Sequence, residues 1–171
     1  MNNLAKTLAK QAKRNGICEQ WLSELKTIED RRELVKMYLR GIDFCLRNNY
    51  PSNEFIKEHF GDICPEMGVF VDKHINVSNV RPCVCLGVTF GKYEITEYSA
   101  GELYVKHNAE IDVTAKDNAF LMISVFDNAI INIHAHDRAK VCVNRFGGKV
   151  NIIENDFDAM VKVNERNPNE F

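Results

Sequence analysis

In this 171-residue chain, two imidazoles and two thiols are spaced for shared chemistry. His134-Ala135-His136-Asp137 places both imidazoles on one face of a strand, a spacing that ligates a metal ion when a third and fourth donor converge. No further donor is evident. His107 lies nearly three repeat units away, so His134 and His136 stand as candidate ligands without a completed set, and no cofactor is expected. Cys83-Val84-Cys85 has no second pair at zinc-finger spacing, and its two thiols are expected on opposite faces of a β run. A nucleophilic cysteine near the helix-solenoid junction, served by His59, His74 or His107, is the corresponding enzyme reading. Phe146-Gly147-Gly148-Lys149 lacks the glycine spacing and the Ser/Thr of a phosphate loop, so a glycine corner is the simpler account. No catalytic residue is assigned.

The elements that must position these groups are set by a repeat. Asp-Asn-Ala occurs at Asp117-Asn118-Ala119 and Asp127-Asn128-Ala129 and returns as Asp137-Arg138-Ala139, a period of ten residues. Like residues form columns. One slot holds Ala109, Ala119, Ala129, Ala139 and Ala159, with Lys149 as a polar interruption; another holds Leu103, Val113, Ile123, Ile133, Val143, Ile153 and Val163. Such columns are what stacked coils require, because each rung packs on the one before it.

The competing arrangement is an antiparallel meander. Across a two-residue hairpin the facing residues sum to an odd number, so the buried parity would alternate from strand to strand. Here the buried positions stay odd throughout, which an even repeat wound as parallel rungs gives directly. The expectation is an α+β chain: an N-terminal α-helical part over residues 1–65, then a single-chain β-solenoid, a β-helix-like coil, over residues 66–171. Two units per flattened coil and three per triangular coil both remain open. Asp117, Asn118, Asp127, Asn128 and Asp137 are assigned as structural corners, the carboxylates accepting backbone N–H groups and Asn tolerating left-handed dihedrals.

Phe120, Met122, Phe126, Ile130 and Phe146 are apolar where the pattern predicts solvent. They are the candidate interface residues. In a two-unit coil Phe126 and Phe146 would stack on one face, as a stripe for the helical part or for a second copy of the chain.

Ahead of the repeat, 3.6-residue periodicity predicts a short amphipathic helix over Met1–Asn15, another over Ile17–Leu25, the strongest over Glu29–Arg47, and a fourth capped by Ser52 or Asn53 and stopped at Gly61. The net charge is −2, with 11 basic and 8 acidic residues up to Gly61 and 11 basic against 16 acidic beyond it. That imbalance is too small to imply nucleic acid. The six cysteines are scattered, and no apolar run approaches a membrane span or the core of a signal peptide. A cytoplasmic protein with reduced thiols and no membrane association is expected.

The run Arg40-Gly41-Ile42-Asp43-Phe44-Cys45-Leu46-Arg47-Asn48-Asn49-Tyr50-Pro51-Ser52-Asn53-Glu54-Phe55-Ile56-Lys57-Glu58-His59-Phe60-Gly61, with Phe126-Asp127-Asn128-Ala129 and Val143-Asn144-Arg145-Phe146-Gly147, resembles an uncharacterised family of small proteins from gut bacteria, their prophages and mobile elements. The resemblance implies a helical N-terminal part joined to repetitive β structure, and a prophage or mobile-element setting. It carries no activity, cofactor or catalytic residue onto this chain.

The expected function is that of a non-enzymatic protein-binding or scaffolding module, with a protein partner or self-association as a homodimer. The alternatives are a metal- or thiol-dependent enzyme using His134 and His136 or a cysteine, and a phage-encoded inhibitor presenting the acidic β face to a host protein.

Overall fold

The structure, a computed structural model, describes residues 3–171. The chain is α+β and divides into two compact units, one running through Met67 and the other Gly68–Phe171. No helix among the described residues is long and apolar enough to cross a membrane.

The first unit holds α1 (Asn3–Arg14), α2 (Glu19–Thr27), α3 (Arg31–Arg40), α4 (Ile42–Asn48) and α5 (Asn53–Phe60), followed by a 3-10 turn at Cys64–Met67. Helix α1 buries Ala5, Leu8, Ala9 and Ala12, the apolar side that its periodicity predicts; Met1 and Asn2 lie outside the described residues. Asp30 caps α3 by accepting the N–H groups of Arg32 at 2.7 Å and Glu33 at 3.1 Å, and Ser52 caps α5 by accepting that of Phe55 at 3.2 Å. Arg31 ties α3 to the end of α5 through Asp62 at 2.6 Å and the His59 carbonyl. The single helix expected over Glu29–Arg47 is two helices, interrupted at Gly41. A Cβ there would meet the Trp21 ring at 3.0 Å, so glycine is the residue that lets the two approach.

The second unit is a β-solenoid of about five turns. Its strands are β1 (Val69–Val71), β2 (His74–Ser78), β3 (Cys83–Leu86), β4 (Phe90–Ile95), β5 (Ala100–Val105), β6 (Glu110–Ala115), β7 (Phe120–Val125), β8 (Ile130–Ala135), β9 (Lys140–Arg145), β10 (Lys149–Asn155) and β11 (Met160–Glu165). Odd-numbered strands form one parallel sheet in chain order, and even-numbered strands form the other. Two ten-residue units therefore make one coil. The register follows: Ile111 pairs with Ile131 and Leu121 with Val141, each twenty residues on.

Inward positions are apolar because each rung closes the one below it. Ile111, Leu121, Ile131 and Val113, Ile123, Ile133 are fully buried, each contributing on the order of 1.5–3 kcal/mol of apolar burial. Ala109, Ala119, Ala129 and Ala139 line the edges of the same core. At each regular corner an i to i+3 bond closes the turn, as from the Ala119 N–H to the Lys116 carbonyl at 3.2 Å.

The first coil is shorter, with β1 paired fifteen and β2 sixteen residues on, and beyond β4 the repeat slips once. Lys149 pairs with Ile130, nineteen residues back rather than twenty, because the Phe146-Gly147-Gly148 corner has three residues where the other corners beyond β4 have four. A bulge between Ile152 and Glu154 then restores the offset of twenty, and β10 is seven residues long instead of six. Two column assignments change in consequence. Ile152, not Ile153, pairs with the inward Ile133, and Lys149 leaves the Ala129 column to pair with Ile130 on the outward face. Gly148 makes the short corner feasible: it has φ of +73°, and a Cβ would lie 2.2 Å from the Ala129 carbonyl oxygen.

Candidate functional site

The final coil differs from those below it. Its inward residues Val150, Val161 and Val163 are only partly buried, whereas their equivalents earlier in the coil are closed over. Ile152, Ile153 and Met160 are 47 %, 55 % and 51 % exposed, and Phe157 is fully exposed. Phe157 stands in the corner slot that holds Asp137 and Asp117 one and two coils earlier. Among the described residues no strand pairs with the outer edges of β10 and β11, since β10 pairs only with β8 and β11 only with β9. The coil thus presents an apolar surface bordered by two strand edges. Neither Phe157 nor Met160 is among the residues that composition marked, although an aromatic residue in an Asp slot is a readable signal.

The five apolar residues singled out in the sequence divide among three places. Phe120 and Met122 are partly exposed neighbours on the outer face of β7. Ile130 lies on β8 in the other sheet. Phe126 and Phe146 follow strand ends at one corner, stacked with centroids 5.1 Å apart, and Phe171 sets its edge on both. Phe171 thus covers the pair from within the solenoid unit. Lys106 lies against the other side, 5.3 Å from the Phe126 centroid and 3.4 Å from Asp127.

The corner carboxylates form a vertical ladder. Asp117 accepts the Glu97 N–H at 2.9 Å, Asp127 that of His107 at 3.3 Å and Asp137 that of Asp117 at 3.0 Å. The left-handed residue is the Asp itself, with φ of 60°, 55° and 54° at Asp117, Asp127 and Asp137, rather than the adjacent Asn. Asp tolerates that conformation, and there its carboxylate reaches the coil below. Asn118 carries the next N–H of the turn, donated to the Glu97 carbonyl at 2.9 Å, and Asn128 extends an amide towards Asn108 at 3.4 Å.

His134 and His136 do find partners, in carboxylates one coil later. Glu154 lies 2.8 Å from His134 Nδ1 and 3.3 Å from His136 Nε2, and Asp156 lies 3.5 Å from His136 Nδ1. Asp156 also accepts the Asp137 N–H at 2.9 Å, and that bond, followed by His136, lowers its carboxyl below the usual range. These partners are invisible until the coil length is known. Among the described residues no set of three or more His, Cys, Asp or Glu side chains is arranged to hold a metal ion.

The thiols of Cys83 and Cys85 point the same way, contrary to expectation, with sulfurs 3.8 Å apart in the core. Alternate residues of a strand share a face, so a Cys-x-Cys pair is brought together rather than separated. The contact with Cys83, then burial, pushes the Cys85 thiol well up. In the helical unit burial raises Cys45 and Cys64 to about 12. Thiols held neutral in this way are poor nucleophiles.

No protein family, no curated protein and no solved structure matches the chain.

Proposed function

We propose that the protein is a non-enzymatic protein-binding module that docks through the final coil of its solenoid, and that a second copy of the chain is the occupant this surface fits. The observation that carries the reading is the exposure of Ile152, Ile153, Phe157 and Met160 along a coil with unpaired strand edges. Surfaces of this kind recruit another strand edge and bury apolar side chains together. The bulge in β10 blunts its edge, whereas β11 is regular over all six residues, so β11 is the edge that adds a strand. Antiparallel pairing of β11 with its copy makes a closed two-fold contact and stops there.

Burial of these four side chains would contribute on the order of 5 kcal/mol, which offsets only part of the entropy lost on association. A weak dimer, in the micromolar range or above, is the expected outcome. The buried thiols of Cys45, Cys64 and Cys85, held neutral, are poor nucleophiles and favour binding over thiol catalysis as the use of this scaffold. Light scattering across a concentration series is the test. The reading requires the mass to rise towards a dimer by about 100 μM and the double variant Phe157→Asp, Met160→Glu to stay monomeric and folded. A wild-type chain that remains monomeric throughout would refute self-association.

A further inference from the structure

The helical unit contains an apolar cavity of about 320 Å³, bounded by Trp21, Val35, Tyr38, Tyr50, Phe60 and other residues of the same unit. Its size falls at the lower end of the range for small-molecule sites, with room for on the order of ten groups of water size. Water is poorly accommodated there, because the walls are overwhelmingly hydrocarbon and aromatic. Polar atoms around it are mostly spoken for. Tyr50 donates to the Leu8 carbonyl at 2.9 Å, and Arg40 pairs with Glu24 while lying 5.4 Å from the Trp21 ring centroid.

Tyr38 is a further polar group of the lining. Its half-buried side chain lies beside Cys45 and Cys64 and lines the cavity, and burial raises its phenol so that it stays neutral. A neutral phenol lining this space offers one donor to whatever fills it. A carboxylate would have to displace Glu24 from Arg40 or enter unpaired, which disfavours an anionic occupant.

We infer that this cavity binds a neutral, hydrocarbon-rich small molecule with one hydrogen-bonding oxygen, its chain among Trp21, Val35 and Phe60 and its oxygen on the Tyr38 hydroxyl. Trp21 is the sole tryptophan of the chain, so its fluorescence reports occupancy directly. The experiment titrates the full chain with 1-octanol, n-octane and octanoate. Saturable one-to-one binding of 1-octanol is expected, about fivefold weaker in Tyr38→Phe, with n-octane affinity unchanged by that substitution. Nuclear Overhauser contacts from the octanol chain to the Trp21 and Phe60 rings of the wild-type chain give an independent reading should the variant lose its fold. Absence of saturable binding, octanol affinity indifferent to Tyr38→Phe, contacts to other rings only, or octanoate binding more tightly than 1-octanol would overturn the assignment.

Discussion

Phe126 and Phe146 lie face to face across one coil, with 8° between their ring planes, because the two positions are separated by one full turn of twenty residues. Phe171 closes the pair from the side, at 4.5 Å from one centroid and 5.0 Å from the other. The stack is therefore a structural seam, and Phe126 is 5 % exposed within it. Truncating Phe126→Ala should destabilise the fold by about 3 kcal/mol, and Phe171→Ala by less. A double-mutant cycle in urea should return a coupling of about 0.5–1.5 kcal/mol between them. Additive losses would mean that Phe171 does not seal the seam.

The short corner makes a second prediction. Gly148→Ala places a Cβ on the Ala129 carbonyl and forces a left-handed alanine, so it should cost about 2 kcal/mol or more, read from the urea midpoint. Lengthening the corner by one residue while deleting Ile153 would remove slip and bulge together, and should recover most of the wild-type midpoint.

Asp117, Asp127 and Asp137 each adopt a left-handed backbone and accept an N–H from the coil below. Asp137→Ala loses both and should cost about 1–3 kcal/mol, whereas Asp137→Gly recovers the backbone part and should fall between alanine and wild type. Equal midpoints for the two variants would remove the backbone contribution from this account.

Asp156 sets an acid-side dependence. Its folded carboxyl sits below the ordinary 3.8, first because of the Asp137 N–H and then His136, so the stability it supplies is present above 3.8 and is lost as pH falls through the lowered value. Asp156→Asn keeps an acceptor for the N–H but cannot titrate. Between about pH 4 and pH 2 its thermal midpoint should therefore fall less steeply than that of the wild-type chain. Parallel slopes would assign the acid limb to other carboxylates.

The repeat made the solenoid legible, since unbroken odd parity and Ala columns suit parallel rungs and not hairpins. The spacing of Phe126 and Phe146 likewise predicts their stack once two units form a coil. What sequence left hidden depended on that coil length. Glu154 and Asp156 come beside His134 and His136 only because each lies one twenty-residue turn further on, and the slip before them is disguised because Ile152 and Ile153 are both apolar. Gly41 sits inside an otherwise regular helical stripe, and only the approach of Trp21 explains the break. The Cys83–Cys85 contact was within reach of strand periodicity alone, as alternate residues share a face. The exposed final coil was the least legible feature, because periodicity marks which residues face inward and not which coil leaves them exposed.

The docking account is tested most directly by amide hydrogen exchange at Met160–Glu165, followed as a function of protein concentration. Half of the N–H groups of β11 face its open edge, and pairing with a second copy would cover them. Slowing of those amides with rising concentration, absent in Phe157→Asp, Met160→Glu and absent in the interior strand β7, is the predicted result. Exchange at β11 that is independent of concentration while the chain dimerises would place the interface elsewhere and contradict the account.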